Sequence, residues 1–347
     1  MFNLGIFKQQ QLKSGKMKGS IQGGKTIALD LYTSLDDLPE IEIDKLQERM
    51  LYRFRLQNST LKCTHAHRFD DFDSLTLSTI ATNFQSEQRL RVHDIGASDG
   101  RTSCDLYNRL NNLHGERLEF LASDYAPYLY VLKRARSKRR MIVDDQQHVL
   151  QIITPPFVFI VFHAKGVEFT PLNRFIRSLV SGLYAQPLLR DRQAGCPDIR
   201  RTTLALLCRE CLANLRSKSN FRFNAYDVLS GPTDEFDIIR AMNVLNFTYF
   251  TKAQLKKALE NISQSLLEGG LFVTGSNNEA GTIVDGGIYK KTENRLEKIA
   301  ISGEGSKVDA LISEWNLTAA AQTPVMSITD PILHNLRRTT LVDLSSA

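Results

Sequence analysis

The sequence lacks a long apolar run, a dense pattern of cysteines and a strong excess of one charge. Its longest apolar run, Phe157–Phe162, is far shorter than the roughly 20 residues that a membrane-spanning helix needs. The 347 residues include one tryptophan and five dispersed cysteines, a usage typical of a reducing compartment. A net charge of +6 is mild for this length and gives no reason to expect nucleic acid as a partner. We therefore expect a globular protein of the cytoplasm.

Hydrophobic periodicity after residue 89 indicates an α/β protein. Short apolar strands alternate there with amphipathic helices, which predicts a doubly wound, mostly parallel, Rossmann-like sheet of seven strands. The alternation stops over residues 140–220, which we interpret as a large inserted subdomain. The expected organisation is a flexible tail at 1–30, an N-terminal helical region at 31–88, the sheet domain at 89–139 and 221–320, the insertion at 140–220 and a C-terminal extension at 321–347.

Turn and capping signals predict several local elements. Thr251 and Gln254 form a capping-box pattern, which indicates the start of a helix. We also expect helices at 127–138, 171–184 and 202–215, a hairpin of 141–143 with 149–153, and a closing hairpin of 287–291 with 298–302.

A glycine-rich turn follows the first strand of the predicted sheet, in the sequence Asp94-Ile-Gly-Ala-Ser-Asp-Gly100. Two later strands also end at acidic residues, Asp124 and Asp227. The carboxyl ends of parallel strands meet at one edge of a sheet, where open α/β folds bind their ligands. A carboxylate there can accept two hydrogen bonds from vicinal hydroxyls. Acids at three successive strand ends therefore predict a nucleoside-binding edge.

Other chemistries fit parts of the same sequence. Gly96–Gly100 matches the Gly-x-Ser-x-Gly nucleophile elbow, in which Ser98 would attack with the help of a histidine such as His334. No oxyanion-loop sequence precedes it, and Asp94 has no role in that chemistry. Residues 19–26 match the phosphate-loop pattern, but no strand precedes them. A serine hydrolase and a non-catalytic nucleoside-binding protein stay open as alternatives.

Two groups of side chains could hold a metal ion. Cys196, Cys208 and Cys211 offer three thiolates, but a zinc site needs a fourth ligand, for which His163 is a candidate. The segment Cys63-Thr-His-Ala-His67, which three aspartates follow, could form the other site. Buried cysteines and a polar loop explain these patterns with fewer assumptions. We therefore expect no metal.

The pattern Asp-x-Gly-x-x-x-Gly at residues 94–100 resembles motif I of class I S-adenosylmethionine-dependent methyltransferases. The segments 122–124, 236–245 and 267–275 are similar to segments of the chemotaxis-receptor (CheR-type) methyltransferases, which carry an Asn-Val-Leu after the fourth strand. That family usually has arginine directly before the asparagine, where this chain has Met242. The resemblance implies that S-adenosylmethionine is the cofactor and that its binding residues are Asp94, Gly96, Ala97, Ser98, Asp99, Gly100, Asp124, Tyr125, Asp227, Val228 and Asn243.

The resemblance also implies methyl transfer to an oxygen or nitrogen nucleophile of a small molecule or a protein side chain. The sheet domain would then be the catalytic domain, and the insertion would form the acceptor-binding wall. Asn243 and Tyr249 are the candidates for lining the transfer site, where the main requirement is to position the acceptor in line with the sulfonium methyl group. The apolar helix at 171–184 could alternatively lie on a membrane surface.

Overall fold

The computed structural model describes residues 5–13, 26–35, 38–52, 56, 62, 64–161, 175, 178–278 and 283–322. Within them the chain forms one sheet of seven strands and one of five. The strands are β1 (Leu90–Ile95), β2 (Leu118–Asp124), β3 (Tyr128–Arg134), β4 (Arg140–Val143), β5 (Val149–Thr154), β6 (Phe157–Ile160), β7 (Ile199–Ala205), β8 (Phe221–Ala225), β9 (Phe236–Met242), β10 (Leu266–Asn277), β11 (Val284–Thr292) and β12 (Arg295–Ser302). The helices are α1 (Gln9–Lys13), α2 (Glu40–Tyr52), α3 (Asp70–Asn83), α4 (Arg101–His114), α5 (Gln186–Gln193), α6 (Arg209–Ser217), α7 (Lys252–Ser265) and α8 (Asp309–Gln322).

The seven-stranded sheet has the order β12-β11-β10-β9-β1-β2-β8. Strands β10, β9, β1, β2 and β8 are parallel, whereas β11 and β12 form an antiparallel hairpin at one edge. The predicted mixed α/β fold with a parallel-rich sheet and the closing hairpin are therefore confirmed. The chain passes from β1 to β2 and β8 on one side before it returns to β9 and β10 on the other, so the strand order reverses at β1.

Successive residues of a strand point to opposite sides of the sheet, and in this sheet both sides carry buried apolar side chains. Helices cover both faces. One face packs against α3, α4 and α6, through residues such as Phe72, Leu106 and Cys211. The other face packs against α7 and α8, through Leu259 and Leu311. The predicted capping box is present at the start of α7.

The five-stranded sheet has the order β6-β5-β4-β3-β7, and all its neighbouring strands are antiparallel. The predicted β4–β5 hairpin is confirmed, but the helix expected at 127–138 is wrong, because this segment forms β3. Leu129 and Leu132 have the spacing of a helix, yet they are buried in two different apolar clusters on opposite faces of the sheet. A strand that is covered on both faces does not alternate between apolar and polar residues, so its apolar positions can be mistaken for the period of a helix.

The helix expected at 202–215 is wrong in its first part. Thr202 and Thr203 lie in β7, as suits their β-branched side chains. The following helix, α6, begins only after Cys208, whose Sγ accepts a hydrogen bond from the Cys211 N–H at 3.3 Å. The interruption between β2 and β8 therefore begins at β3 and contains a complete sheet, rather than beginning at residue 140.

The described N-terminal residues pack against the five-stranded sheet. Ile6 and Ile27 form a parallel bridge, and both are buried in the same cluster as Leu129. The expectation of a flexible tail is therefore wrong for residues 5–13 and 26–30. These apolar side chains are scattered among glycines and lysines without a helical or strand period, and only tertiary contact reveals that they are core residues.

Several sequence-based expectations fall partly outside the described residues. They include the phosphate-loop match at 19–26 apart from its last residue, and the C-terminal extension from residue 323 onward. Of the apolar helix expected at 171–184, residues 178–180 are helical and continue into a π-helical turn at Ser181–Ala185, while most of the earlier part is not described.

We expect Ile27→Ala to destabilise the protein, because it removes buried contacts between the N-terminal segment and the five-stranded sheet. A loss of about 2–5 kcal/mol in the free energy of unfolding is typical of such a change. Urea denaturation measures it, with Thr33→Ala at an exposed position of the same segment as the control. The control should change this energy by less than about 0.5 kcal/mol. Equal effects of the two substitutions would contradict the packing.

Candidate functional site

The turn between β1 and α4 has left-handed backbone at three positions. The φ angles of Gly96, Ser98 and Gly100 are 77°, 58° and 86°. A side chain at Gly96 would collide with Val244, since an added Cβ would lie 1.9 Å from the Val244 Cγ2. The Gly96 N–H donates to the Ser123 carbonyl at 2.8 Å. The turn is thus held between the end of β2 and the loop that follows β9.

Asp124, at the carboxyl end of β2, is bound directly to this turn. Its carboxylate accepts hydrogen bonds from the N–H groups of Ser98 at 2.8 Å and of Ala126 at 3.1 Å. The same carboxylate forms a short ion pair with the ammonium group of Lys62. Lys62 Nζ also donates to the Ser98 carbonyl at 3.3 Å, and the Ser98 hydroxyl donates to the Lys62 carbonyl at 2.8 Å. The structure therefore brings Asp124, one of the predicted cofactor-binding acids, together with the predicted turn.

Lys62 is a residue of this site that the sequence does not reveal. Its side chain is 1% exposed, and that of Asp124 is 11% exposed. A buried ammonium group requires a charged or hydrogen-bonding partner, because an isolated buried charge is very costly. A single lysine in the printed sequence carries no signal of burial, and only the fold brings it to a carboxylate 62 positions away.

Asp94 lies beneath the turn in a buried ion network. Its carboxylate accepts a hydrogen bond from the Ser103 hydroxyl at 2.6 Å and lies 3.1 Å from Arg240 Nε. Arg240 also pairs with Asp73 of α3 at 2.9 Å and donates to the Thr102 carbonyl at 3.2 Å. The network fastens β1, β9, α3 and α4 to one another. The contacts of the Asp94 carboxylate in the structure are thus structural, and its role in cofactor binding stays a prediction.

Asp99 connects the turn to the N-terminal region. Its carboxylate accepts hydrogen bonds from the Tyr32 hydroxyl and from Arg101 Nε, both at 3.0 Å. Arg101 extends the contact to Asp44 and Glu48 of α2, at 3.2 and 3.4 Å. Burial, followed by the neighbouring Asp99 carboxylate, raises the pKa of the Tyr32 phenol well above its ordinary value. Asp99 is fully buried among these groups.

The loop after β8 lies beside the end of β2. The Tyr226 N–H donates to the Asp124 carbonyl at 2.9 Å, and Asp227 is only half-buried. Burial, followed by the charge of Asp227, raises the pKa of the Tyr125 phenol. The Val228 side chain, in contrast, is buried in the core against α7.

Asn243 follows β9 with a left-handed φ of 58°. Its amide forms two hydrogen bonds with Asn277 at the end of β10, each 3.1 Å long. Asn277 in turn donates to the Arg68 carbonyl at 3.3 Å. Asn277 is not among the predicted site residues, although a polar residue at a strand end is the same signal that Asp124 gives. Tyr249 is half-buried in the same loop as Asn243.

The predicted residues therefore meet at one edge of the seven-stranded sheet. The turn follows β1, Asp124 ends β2, Asp227 follows β8 and Asn243 follows β9, and these four strands are neighbours in the order β9-β1-β2-β8. Because the strands are parallel, all four carboxyl ends lie at the same edge. The arrangement provides carboxylates and an amide around a turn with little side-chain bulk.

The geometry of Ser98 bears on the hydrolase alternative. A nucleophile elbow also requires a strained strand-to-helix turn, as Ser98 has. Its hydroxyl is directed to the Lys62 carbonyl, and among the residues that the structure describes no histidine is hydrogen-bonded to it. His93, on β1, has its Nε2 2.8 Å from the Ser123 Oγ, and burial lowers its pKa to about 3. His334 lies outside the described residues.

In the described part of the chain, no group of three histidine, cysteine or acidic side chains could hold a metal ion. Cys208 and Cys211 are buried at the start of α6, whereas Cys196 belongs to the cluster on the five-stranded sheet. Cys63 and His163 are not described. The helices of the same part are each too short or too polar to span a membrane.

No family model and no curated protein matches this chain. Among solved structures it is similar to the N-methyltransferase NodS from Bradyrhizobium japonicum in complex with S-adenosyl-l-homocysteine, at 15% identity over 68% of this chain and 74% of that chain, with a TM-score of 0.31. It is also similar to CalS10, an amino pentose methyltransferase from Micromonospora echinaspora, at 14% identity over 65% of this chain and 59% of that one, with a TM-score of 0.29.

A third similar structure is the CurJ carbon methyltransferase, at 12% identity, with a TM-score of 0.33; the match covers 78% of this chain and half of CurJ. A putative sarcosine dimethylglycine methyltransferase from Galdieria sulphuraria is matched over 46% of its length. TM-scores this low establish neither a shared fold nor a shared activity. The strand order and the contacts of this chain therefore carry the functional argument by themselves.

We expect the contribution of Asp73 to the stability of the protein to fall as pH rises from about 4 to 6. Burial raises the pKa of Asp73 to about 6, from an ordinary value of 3.8, and the negative charge of Asp94, which pairs with the same arginine, contributes to this increase. Between these values the folded state holds a proton that the unfolded state has lost. Its contribution to stability is complete below about pH 4 and is lost as pH rises through 6, at roughly 1.4 kcal/mol for each pH unit.

His93, whose pKa burial lowers to about 3, contributes a slope of the opposite sign over the same interval, so the effect of Asp73 is measured as a difference. Urea denaturation at a series of pH values gives the free energy of unfolding of the wild type minus that of Asp73→Asn, and this difference should fall as pH rises from about 4 to 6. The same difference for Asp71→Asn, at an exposed position on the same helix, should not change with pH. A difference for Asp73→Asn that is independent of pH would show that Asp73 does not hold the proton.

Proposed function

We propose that this chain is a class I S-adenosylmethionine-dependent methyltransferase. The observation that carries the proposal is the meeting of the glycine turn, Asp124 and the Asn243 loop where the strand order reverses at β1. In open α/β sheets ligands bind outside the carboxyl ends of the strands at such a reversal. The Asn243-Val-Leu245 segment further supports the chemotaxis-receptor methyltransferases as the nearest relatives within this class. The dispersed cysteines support a cytoplasmic location.

The donor set fits an adenosyl ligand. Asp124 is the acid best placed to accept hydrogen bonds from the vicinal hydroxyls of a ribose, because it adjoins the turn and the loop after β8. Tyr125 follows β2 and Asp227 follows β8, and both are more exposed than Asp124 and suit the adenine end. Gly96, Ala97 and Gly100 present backbone without bulky side chains, which allows the methionine part to approach. When bound, S-adenosylmethionine supplies an electrophilic methyl group.

Asp124 is engaged by Lys62, and this sets a condition on cofactor binding. A ribose can use the Asp124 carboxylate only if the Lys62 ammonium moves aside or shares it. The two N–H groups from Ser98 and Ala126 would still hold the carboxylate in place. We infer that Lys62 and the ribose hydroxyls compete for one carboxylate.

The acceptor is proposed to be an oxygen or nitrogen nucleophile of a small molecule or a protein side chain. Asn243 acts as a positioning residue in this proposal, because its amide is bonded to Asn277 and fixes the loop beside the turn. Tyr249 lies further along the same loop and could face the acceptor. The segment that follows β7 of the five-stranded sheet contacts the turn, because the Cys208 N–H at the start of α6 donates to the Asp99 carbonyl at 2.8 Å. The five-stranded sheet is therefore suitably placed to form the acceptor-binding wall.

We expect the wild-type protein to bind S-adenosylhomocysteine and Asp124→Asn to bind it at least tenfold more weakly, because a neutral amide accepts hydrogen bonds less strongly than a carboxylate. Isothermal titration calorimetry measures both affinities. Asp234→Asn makes the same change of charge at an exposed loop position and should leave the affinity within twofold. Circular dichroism of each variant shows whether it is folded.

Two results would contradict the proposal. One is the absence of S-adenosylhomocysteine binding to the wild-type protein at millimolar ligand. The other is covalent labelling of Ser98 by a fluorophosphonate, which would support the hydrolase. Binding without transfer of a labelled methyl group to any acceptor would leave the non-catalytic nucleoside-binding protein as the better description.

Lys62→Met should tighten S-adenosylhomocysteine binding by about fivefold or more, because it removes the competitor for Asp124. Lys62→Arg keeps the charge and should stay close to the wild type. Titration calorimetry compares the three proteins, and urea denaturation shows whether each is folded. If Lys62→Met binds the ligand as weakly as the wild type or more weakly, Lys62 does not compete with the ribose.

A further inference from the structure

A second cleft lies between the N-terminal segment and one face of the five-stranded sheet. Its volume is about 550 Å³, within the range of sites for small ligands. β3, β7 and the start of β4 form one wall, and the segments around Phe7 and Asp30 form the other. No residue of the glycine turn, and neither Asp124 nor Asn243, lines it.

Basic side chains dominate the charge of this cleft. Lys8, Lys133, Lys138 and Arg140 line it, with Asp30 as the one acidic residue among them. Arg140 and Asp30 neutralise each other, since the guanidinium group pairs with both carboxylate oxygens, one of them at 3.0 Å from Nη2. Among the described residues, no carboxylate forms an ion pair with the three lysines. The cleft therefore holds an excess of positive charge.

The remaining lining is suited to an anion that carries an apolar body. The hydroxyl groups of Ser34 and of Thr202, which is paired with Val131 on the cleft side of the sheet, can donate hydrogen bonds to anionic oxygens. Val131 and Leu204 contribute an apolar surface on the sheet side. Lysine ammonium groups and hydroxyls together are the donors that phosphate and carboxylate groups require.

The cleft is well separated from the glycine turn. β3 begins at Tyr128, shortly after Asp124, and reaches Lys133 five residues later, which corresponds to roughly 17 Å at about 3.3 Å per residue. The two regions nevertheless share one segment, because Asp30 and Ser34 line the cleft while Tyr32 between them donates to Asp99 of the turn.

We propose that this cleft binds an anionic small molecule, a phosphate or carboxylate group on an apolar body, at a site distinct from the proposed methyltransferase site. Lys133 is its central cation, because it is half-buried on β3, whereas Lys8 and Lys138 are exposed at the rim. The proposal does not depend on the activity of the seven-stranded sheet.

Titration calorimetry of the full chain with phenyl phosphate, benzoate and inorganic phosphate tests the proposal. We expect phenyl phosphate or benzoate to bind more tightly than inorganic phosphate, and whichever binds assigns the anionic group. Lys133→Gln should weaken that binding about tenfold or more. Arg136→Gln removes one positive charge from an exposed position just after β3, outside the cleft, and should weaken it less than twofold.

Equal weakening by the two substitutions would indicate a general effect of charge and would overturn the assignment to the cleft. Absence of binding of all three anions to the wild-type protein would overturn it as well. Binding of S-adenosylhomocysteine to Lys133→Gln, measured in the same preparation, separates the outcome from that of the methyltransferase proposal.

Discussion

The arrangement of the site depends on one buried cation, Arg240. Its side chain is 1% exposed and pairs with Asp94 below the turn and Asp73 on α3. A buried guanidinium group without its partners would be strongly destabilising, so β1, β9 and α3 must come together around it. Burial is the main cause of the raised pKa of Asp73, and the Asp94 carboxylate on the same arginine raises it further. The first acid of the motif thus acts in the structure as an anchor of the sheet.

The second acid, Asp124, combines two demands. Its carboxylate fixes the turn by accepting a hydrogen bond from the Ser98 N–H, and it neutralises the buried ammonium group of Lys62. A group that already has a good partner binds a ligand only when the ligand offers more than that partner. In the proposed cofactor site, Lys62 therefore competes with the ribose hydroxyls for the Asp124 carboxylate. Because Lys62 belongs to the N-terminal region, this competition is a physical route by which that region could influence cofactor binding.

Whether an element can be predicted from the sequence depends on how that element is buried. The parallel strands were found because they are short apolar runs that end at glycine or acidic residues, and α7 because Thr251 and Gln254 form its capping box. β3 was mistaken for a helix because Leu129 and Leu132 are buried on different faces of a second sheet. The N-terminal residues around Ile6 and Ile27 were missed because their core positions have no period.

The sequence by itself determined the α/β class, the glycine-rich turn after β1, and the presence of acidic or amide residues at the strand ends, because these follow from local conformation and from the order of elements along the chain. Only the tertiary structure decided the partner of each acid: Arg240 for Asp94, Tyr32 and Arg101 for Asp99, and Lys62 for Asp124. Asp94 and its arginine are 146 positions apart, and no local pattern records such a pairing. These long-range pairs determine which charged groups of the site can still interact with a ligand, because a buried charge is stable only beside a partner and the fold decides which partner is near.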